Sequence, residues 1–267
     1  MGYYARMPRL FIFGLGYTAK HLAHKISGDG WHIDATGSDG AVDFGDSDAV
    51  QAHLARADAV LSSVPPADGG DPVLDRYESA LAGKWLAYLS STGVYGDADG
   101  AWVDEHAPTG TGRRTARAQC DARWMDLGAR VFRLPGIYGP GRSALDKVRE
   151  GSAHRIDMPG QVFSRIHVED IVSGLDAALR HDAPPGAYNL ADDLPASHNA
   201  VTEEACRLLG TAPPPLQTMD EAGLSPMARG FYAENRRVAN GKAKRVLGWE
   251  PRYPNYREGL AAIMARA

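Results

Sequence analysis

An apolar run, Leu10-Phe-Ile-Phe13, stops abruptly in Gly14-Leu-Gly16-Tyr-Thr-Ala19, and a helical pattern follows at once. A strand that ends in a Gly-x-Gly-x-x-Ala turn and passes straight into a helix has few ways to fold. Gly14 permits the sharp turn, Gly16 lets the backbone approach a pyrophosphate, and Ala19 lets the helix pack closely on a sheet. Tyr17 and Thr18 complete a first helical turn whose unpaired amides point at bound phosphate. Ala19, Leu22, Ala23 and Ile26 recur at i, i+3, i+4 and i+7, which predicts one buried face on a helix from about Tyr17 to Ser27. Glycine turns also join strands to helices where no ligand binds, so the motif needs support from its surroundings.

The following sequence supplies that support. Trp31–Thr36 reads as a second strand, Val42–Phe44 as a short third, Ala57–Val64 as a fourth and Lys84–Ser90 as a fifth. Helical patterns at Ser47–Ala55 and Pro72–Gly83 lie between them, and such alternation implies right-handed crossovers and a parallel sheet. The six residues before Met7 read as a loose extension.

A chain of 267 residues with 44% hydrophobic content can build one nucleotide-binding core and a smaller lobe, not a second full domain. A net charge of -4 and a pI near 6.1 offer no broad basic surface for nucleic acid. The apolar runs fall well short of the roughly 20 residues of a membrane span, and no charged-then-apolar leader pattern opens the chain. These features predict a cytoplasmic protein with a small-molecule substrate, as a monomer or homodimer, with neither nucleic acid nor membrane as partner. Cys120 and Cys206 lie in separate predicted helices without a CxxC or His pairing, which predicts buried reduced thiols and no metal site.

At Leu89-Ser90-Ser91-Thr92-Gly93-Val94-Tyr95-Gly96 the sequence resembles the extended short-chain dehydrogenase/reductase superfamily, also called the NAD-dependent epimerase/dehydratase family. Phe132-Arg133-Leu-Pro-Gly-Ile-Tyr138-Gly139-Pro140-Gly141 resembles that family's segment after the sixth strand, and Arg165-Ile-His167-Val-Glu-Asp170-Ile its next landmark. With the glycine loop and Tyr188-Asn189-Leu190 these motifs run through most of the chain in the family's order. The implied fold is α/β, a Rossmann-type doubly wound parallel sheet with a smaller, mainly C-terminal substrate lobe. Residues 1–134 plus 167–182 are expected to form the NAD(P)-binding domain, and 135–166 plus 183–267 the lobe.

In that family a Ser or Thr of the first motif acts with a Tyr and a Lys four residues apart on the next helix. Ser91 matches the serine. Aligning Gly112–Asp121 as that helix puts Arg113 at the tyrosine and Arg117 at the lysine. Arginine stays protonated at any working pH and cannot shuttle the proton as a phenol does. Positions 113, 117 and 121 recur at i, i+4 and i+8, so two guanidiniums on one helix face would hold a substrate carboxylate or phosphate; the alternative is a solvated face with Asp121 as an ion-pair partner. The departure resembles the atypical subgroup that lacks the usual tyrosine. Thr92-Gly93 also stands where sugar-nucleotide 4,6-dehydratases carry an Asp-Glu pair.

Another group would then move the proton, and Tyr95, Tyr138 and His167 are the candidates, Tyr138 foremost; the alternative for each is a packing role. Asp170 reads as a helix-start residue. For the cofactor, Thr36-Gly37-Ser38-Asp39 would meet the adenosine ribose, and the absence of Arg or Lys from that loop favours NAD over NADP. Asp46 resembles the family position near the adenine, and Ser63, Val64 and Pro65 belong to the loop along the cofactor's ribose and phosphates. A helix at Val168–Arg180 is expected to return to the core sheet, and helices at Ser197–Leu209 and Tyr256–Ala265 to form the smaller lobe. The loop Met227–Val238, with Tyr232, would face a polar or anionic substrate. The function implied is an NAD(P)-dependent oxidoreductase or epimerase acting on a small polar, anionic or sugar-like substrate. The alternatives are a catalytically silent NAD(P)-binding regulator that senses redox state, and an empty scaffold.

Overall fold

The computed structural model describes residues 7–67 and 69–266, so the predicted extension before Met7 lies outside the described residues. The chain divides into two compact units. One comprises the described residues up to Ser91 with Thr115–Arg133 and Leu175–Tyr188; the other comprises Thr92–Arg114, Leu134–Gly174 and the chain from Asn189 onward.

The first unit is built on a parallel sheet of six strands: β1 (Arg9–Phe13), β2 (His32–Ala35), β3 (Ala59–Ser62), β4 (Trp85–Ser91), β5 (Arg130–Leu134) and β6 (Gly186–Asn189). Their order across the sheet is β6-β5-β4-β3-β1-β2. β1 pairs with both β2 and β3, Phe11 facing Asp34 on one side and Val60 on the other. The chain therefore reverses its direction of winding at β1, and in open α/β sheets ligands bind beyond the strand ends at such a switch point. Short apolar strands such as Ala59-Val-Leu-Ser62 are buried along their whole length, as expected of a sheet covered on both faces.

Helix α1 (Tyr17–Gly28) buries Thr18, Ala19, Leu22 and Ile26, close to the predicted face. Helix α2 (Ser47–Arg56) is capped by Asp46. Two predictions change here. Val42–Phe44 is not a strand: only Val42 bridges to Thr36, while Tyr77 donates its hydroxyl to the Phe44 carbonyl at 2.5 Å. Pro72–Gly83 is shortened to helix Leu74–Tyr77 and a 3-10 turn, Glu78–Leu81. Asp71 accepts from the amides of Val73 and Leu74 and starts that turn, and its other oxygen accepts from the Trp124 indole at 2.7 Å.

Thr92–Arg114, which the sequence places with the nucleotide-binding domain, belongs to the second unit. Strand Trp102–Val103 pairs with Arg237–Val238, and the Asn189 amide donates to Glu105 at 2.7 Å. These partners stand 84 or more positions away, beyond the reach of any local pattern. A second core forms where Leu145, Val201, Ala205, Tyr256, Leu260 and Ile263 pack together. It draws on helices α4 (His198–Leu209), capped by Ser197, and α5 (Tyr256–Met264), capped by Asn255. Among the described residues no helix is long and apolar enough to cross a membrane.

Candidate functional site

The β1–α1 loop is held from two sides. The Gly14 amide donates to Thr36 Oγ1 at 3.1 Å and the Leu15 amide to the Thr36 carbonyl at 2.8 Å, while the Ser63 hydroxyl donates to the Gly14 carbonyl. Gly14 sits at φ +83°, a region only glycine enters without strain, and a Cβ there would lie 3.0 Å from Ser63 Oγ. Gly37, at φ +115°, lets the end of β2 pass over the loop, since a Cβ would come 2.9 Å from the Leu15 nitrogen. Gly16 is different. A Cβ at that position meets nothing within 4 Å, so the space over the first turn of α1 is open. The N-cap residue makes no side-chain hydrogen bond and no acid stands in the first turn, so the positive pole of the helix dipole falls at the start of α1. These are the features a bound pyrophosphate would use.

Of the other predicted cofactor residues, Val64 packs against the Gly14 position and Pro65 is exposed beside it. The Asp46 carboxylate is occupied locally, accepting the Ala49 amide at 3.0 Å. Ser38 donates weakly to Asp39 at 3.5 Å. The sequence showed no cation in this loop, but helix α1 delivers one: Lys20 forms an ion pair with Asp39, and that contact holds the Asp39 carboxyl below its usual range. Two things were missed: the role of Thr36 in holding this turn, beyond its place in the ribose loop, and Lys20 altogether. A threonine ending a strand just before Gly37 was the available signal for the first; for the second there was none, because the contact joins a helix to a loop 19 positions on.

Ser91 is the last residue of β4. Its neighbour Ser90 turns inward and donates to Asp121 Oδ2 at 2.7 Å. Arg133 grips the same carboxylate with two bonds, Nε to Oδ2 at 3.0 Å and a terminal nitrogen to Oδ1 at 2.7 Å. Both charged side chains are at most 2% exposed. Helix α3 (Thr115–Asp126) carries Arg117, whose guanidinium donates to the Tyr88 hydroxyl at 2.8 Å and the Leu89 carbonyl at 3.4 Å. Burial pushes the Tyr88 phenol well up, so Tyr88 stays neutral and serves as an acceptor.

The predicted arginine face is thereby corrected. Arg113 precedes α3 rather than lying on it, and Asp121 pairs with Arg133 rather than Arg117. In the second unit Glu234 holds Arg113, accepting its amide at 3.0 Å and standing 3.7 Å from its Nε.

The remaining predicted groups also lie in the second unit. The Tyr95 hydroxyl donates to Asn189 Oδ1 at 2.7 Å inside the protein. His167 accepts the Glu169 amide at Nδ1 and packs between the rings of Tyr138 and Tyr253. Tyr138 is the second correction. Its ring covers Gly259 of α5 so closely that a Cβ there would overlap the hydroxyl, and burial drives its phenol far above the ordinary range. A tyrosine held neutral in a helix packing contact is poorly suited to move a substrate proton. Tyr232 is likewise buried. Its hydroxyl lies 3.3 Å from His154 Nε2, and His154 stacks on His198 at 4.8 Å. The predicted Met227–Val238 loop contains a helix, Pro226–Tyr232, started by Ser225 and Pro226. Asp170 is a structural anchor at the start of helix Val168–Arg180, accepting the amides of Arg252 and Tyr253 at 2.7 and 3.2 Å. Cys120 and Cys206 are both buried and free.

The sheet order, with the glycine turn at its switch point, defines a Rossmann-type fold. The ordered motifs resemble those of the extended short-chain dehydrogenase/reductase superfamily, and the fold matches structures of that kind. No family model matches it. A protein from Silicibacter pomeroyi, described as conserved and functionally unknown, is 41% identical, with 97% of this chain and 99% of that one covered and a TM-score of 0.87. Protein YeeZ of Escherichia coli K12 is 26% identical over 93% of this chain and 97% of its own. A Streptomyces 3-diazoavenalumate denitrifying reductase is 34% identical over 149 residues, 51% of this chain and 47% of that protein. The fold is shared with the human epimerase family protein SDR39U1, solved with NADPH, at 17% identity, 97% and 100% coverage and a TM-score of 0.77. It is shared also with the Bacillus anthracis dTDP-glucose 4,6-dehydratase, solved with NAD, at 16% identity, 97% and 96% coverage and a TM-score of 0.76.

Proposed function

We propose that the protein is an NAD(P)-dependent oxidoreductase or epimerase of the atypical short-chain dehydrogenase/reductase type, acting on a small polar or anionic substrate. The observation that carries this reading is the open cradle over the uncapped, acid-free start of α1. Structures of the same fold hold NAD or NADPH, which supports a nicotinamide dinucleotide. Such a cofactor supplies or accepts hydride. Gly14, Gly16, Tyr17, Thr18 and Ala19 would meet its pyrophosphate, Ser38 and Asp46 its adenosine end, and Ser63, Val64 and Pro65 its ribose. The Lys20–Asp39 pair leaves both dinucleotides in play, because a 2'-phosphate would find Lys20 and a 2'-hydroxyl would find Asp39. Ser91 hydrogen-bonds the reacting oxygen, and Arg113 takes the substrate's charge. Tyr138 is left out of the catalytic set.

Calorimetric titration of the cofactor-stripped protein with NAD, NADH, NADP and NADPH tests the reading. Micromolar binding of one redox pair is expected, and no binding of any of the four refutes it. Ser91→Ala is expected to lower turnover more than cofactor affinity. One observation favours a second reading, a cofactor-binding redox sensor without catalysis: Arg117 is already engaged by Tyr88 and Leu89, and Arg113, at the tyrosine's position, cannot shuttle a proton. Partner binding that differs between oxidised and reduced cofactor would decide for the sensor.

A further inference from the structure

Phe231 is 45% exposed, yet it is not loose. The Arg113 guanidinium lies 4.8 Å from its ring centre and that of Arg114 lies 5.7 Å away. Both arginines and the phenylalanine belong to the second unit. Arg113 and the helix carrying Phe231 are held by packed neighbours. Gly112 fits against Gly96 and Glu234 so tightly that a Cβ would come within 2.7 Å of Glu234 Oε1, and Glu234 then binds the Arg113 amide. Thr111 donates to the Tyr95 carbonyl at 3.0 Å and fixes the approach to this turn. Beyond Phe231, Tyr232 anchors the short helix, with its edge on Phe163 at 5.4 Å and its hydroxyl on His154.

The charge around this ring is positive. Glu234 stands 3.0 Å from Arg236 as well as 3.7 Å from Arg113, so one carboxylate is shared by two guanidiniums, and Arg114 adds a third cation. This occurs in a chain whose net charge is -4. A guanidinium fork matches a carboxylate in two parallel bonds, and its weakly hydrated plane stacks on aromatic rings. A half-exposed phenyl ring beside it offers an apolar face to a second ring. An inorganic phosphate would use the cations but gain nothing from Phe231, and a neutral sugar would gain nothing from the charge.

We propose that Arg113, Arg114 and Phe231 form the recognition site for an aromatic carboxylate, the substrate class of this protein. The proposal rests on the enzyme reading above, with Arg113 as its anion-binding residue. The ring of the ligand stacks beside Phe231 and its carboxylate accepts from the guanidiniums.

The test is calorimetry on the whole protein with 4-hydroxycinnamate, cyclohexanecarboxylate and inorganic phosphate. We expect 4-hydroxycinnamate to bind at least tenfold more tightly than either of the others. Phe231→Ala alters an exposed side chain and should keep the fold, yet lose tenfold or more of that affinity. Arg113→Lys keeps the charge beside Glu234 and removes the fork, and should also lose most of it. Equal binding of the two carboxylates, tighter binding of phosphate, no binding of any probe, or an unchanged Phe231→Ala variant would each overturn the proposal. NADH titrated into the same samples separates the two readings. Binding of NADH without 4-hydroxycinnamate removes this site alone, and the converse removes the cofactor reading and leaves the site.

Discussion

The Asp121–Arg133 pair beneath β4 is the most exposed of these readings to a quantitative test. Removing the carboxylate with Asp121→Ala leaves a guanidinium that is 2% exposed without the two short bonds that compensate its desolvation. Breaking a buried ion pair on one side costs about 3–5 kcal/mol. The Ser90 hydroxyl, which donates to the same carboxylate, loses its acceptor as well, worth about 1 kcal/mol. At about 2–4 °C per kcal/mol for a chain of this size, a combined loss of about 4–6 kcal/mol lowers Tm by about 8–24 °C. The double variant Asp121→Leu/Arg133→Met removes both charges, fills the space, and should recover to within about 1 kcal/mol of the parent, because buried pairs are near neutral against apolar replacements. Guanidinium chloride denaturation of the parent, both single variants and the double variant measures all four corners. A loss below about 1 kcal/mol for Asp121→Ala, or a double variant no more stable than the singles, would refute the claim that this pair is a desolvated and mutually dependent unit.

Gly16→Leu places a side chain in open space, so Tm should hold within about 1–2 °C while nucleotide affinity falls at least tenfold by calorimetry. Two buried groups set opposite pH dependences in the second unit. Burial lowers His198 to about 4, so the unfolded chain binds the extra proton between there and 6.5, and the stability from this group is present above pH 6.5 and lost as pH falls through 4. Burial raises Asp192 to about 8, so the native state holds the extra proton, and stability falls as pH rises from about 4 through 8. Each slope is at most about 1.4 kcal/mol per pH unit. The two offset each other below pH 6.5 and leave a decline above it. Urea melts across pH 4–9 should show that decline, and Asp192→Asn should abolish it; a decline that survives the substitution would assign it elsewhere.

The local order of the first unit was legible because it depends on neighbours in the chain. The strand, glycine turn and helix of Leu10–Ser27 carry period and turn chemistry within one short window, and Ser197 before its helix is a capping signal of the same range. The motif order from Gly14 to Leu190 likewise announced the sheet class. Val42–Phe44 misled because an alternating apolar triplet reads the same whether it pairs in a sheet or tucks beneath Tyr77.

Contacts that close long loops decided the rest. Whether Asp121 answers Arg117 four positions away or Arg133 twelve positions away is a question of which cation the fold buries beside it. Lys20 reaches Asp39, Glu234 reaches Arg113 across 121 positions, and Tyr138 sinks against Gly259 rather than facing a ligand. Periodicity and turn residues report the environment a few positions wide, and so they determined the elements and the phosphate cradle. Burial and charge pairing are properties of the packed chain, and they alone decided which titratable side chains are neutralised in the interior and which, like Arg113 beside the half-exposed Phe231, stay partly in solvent.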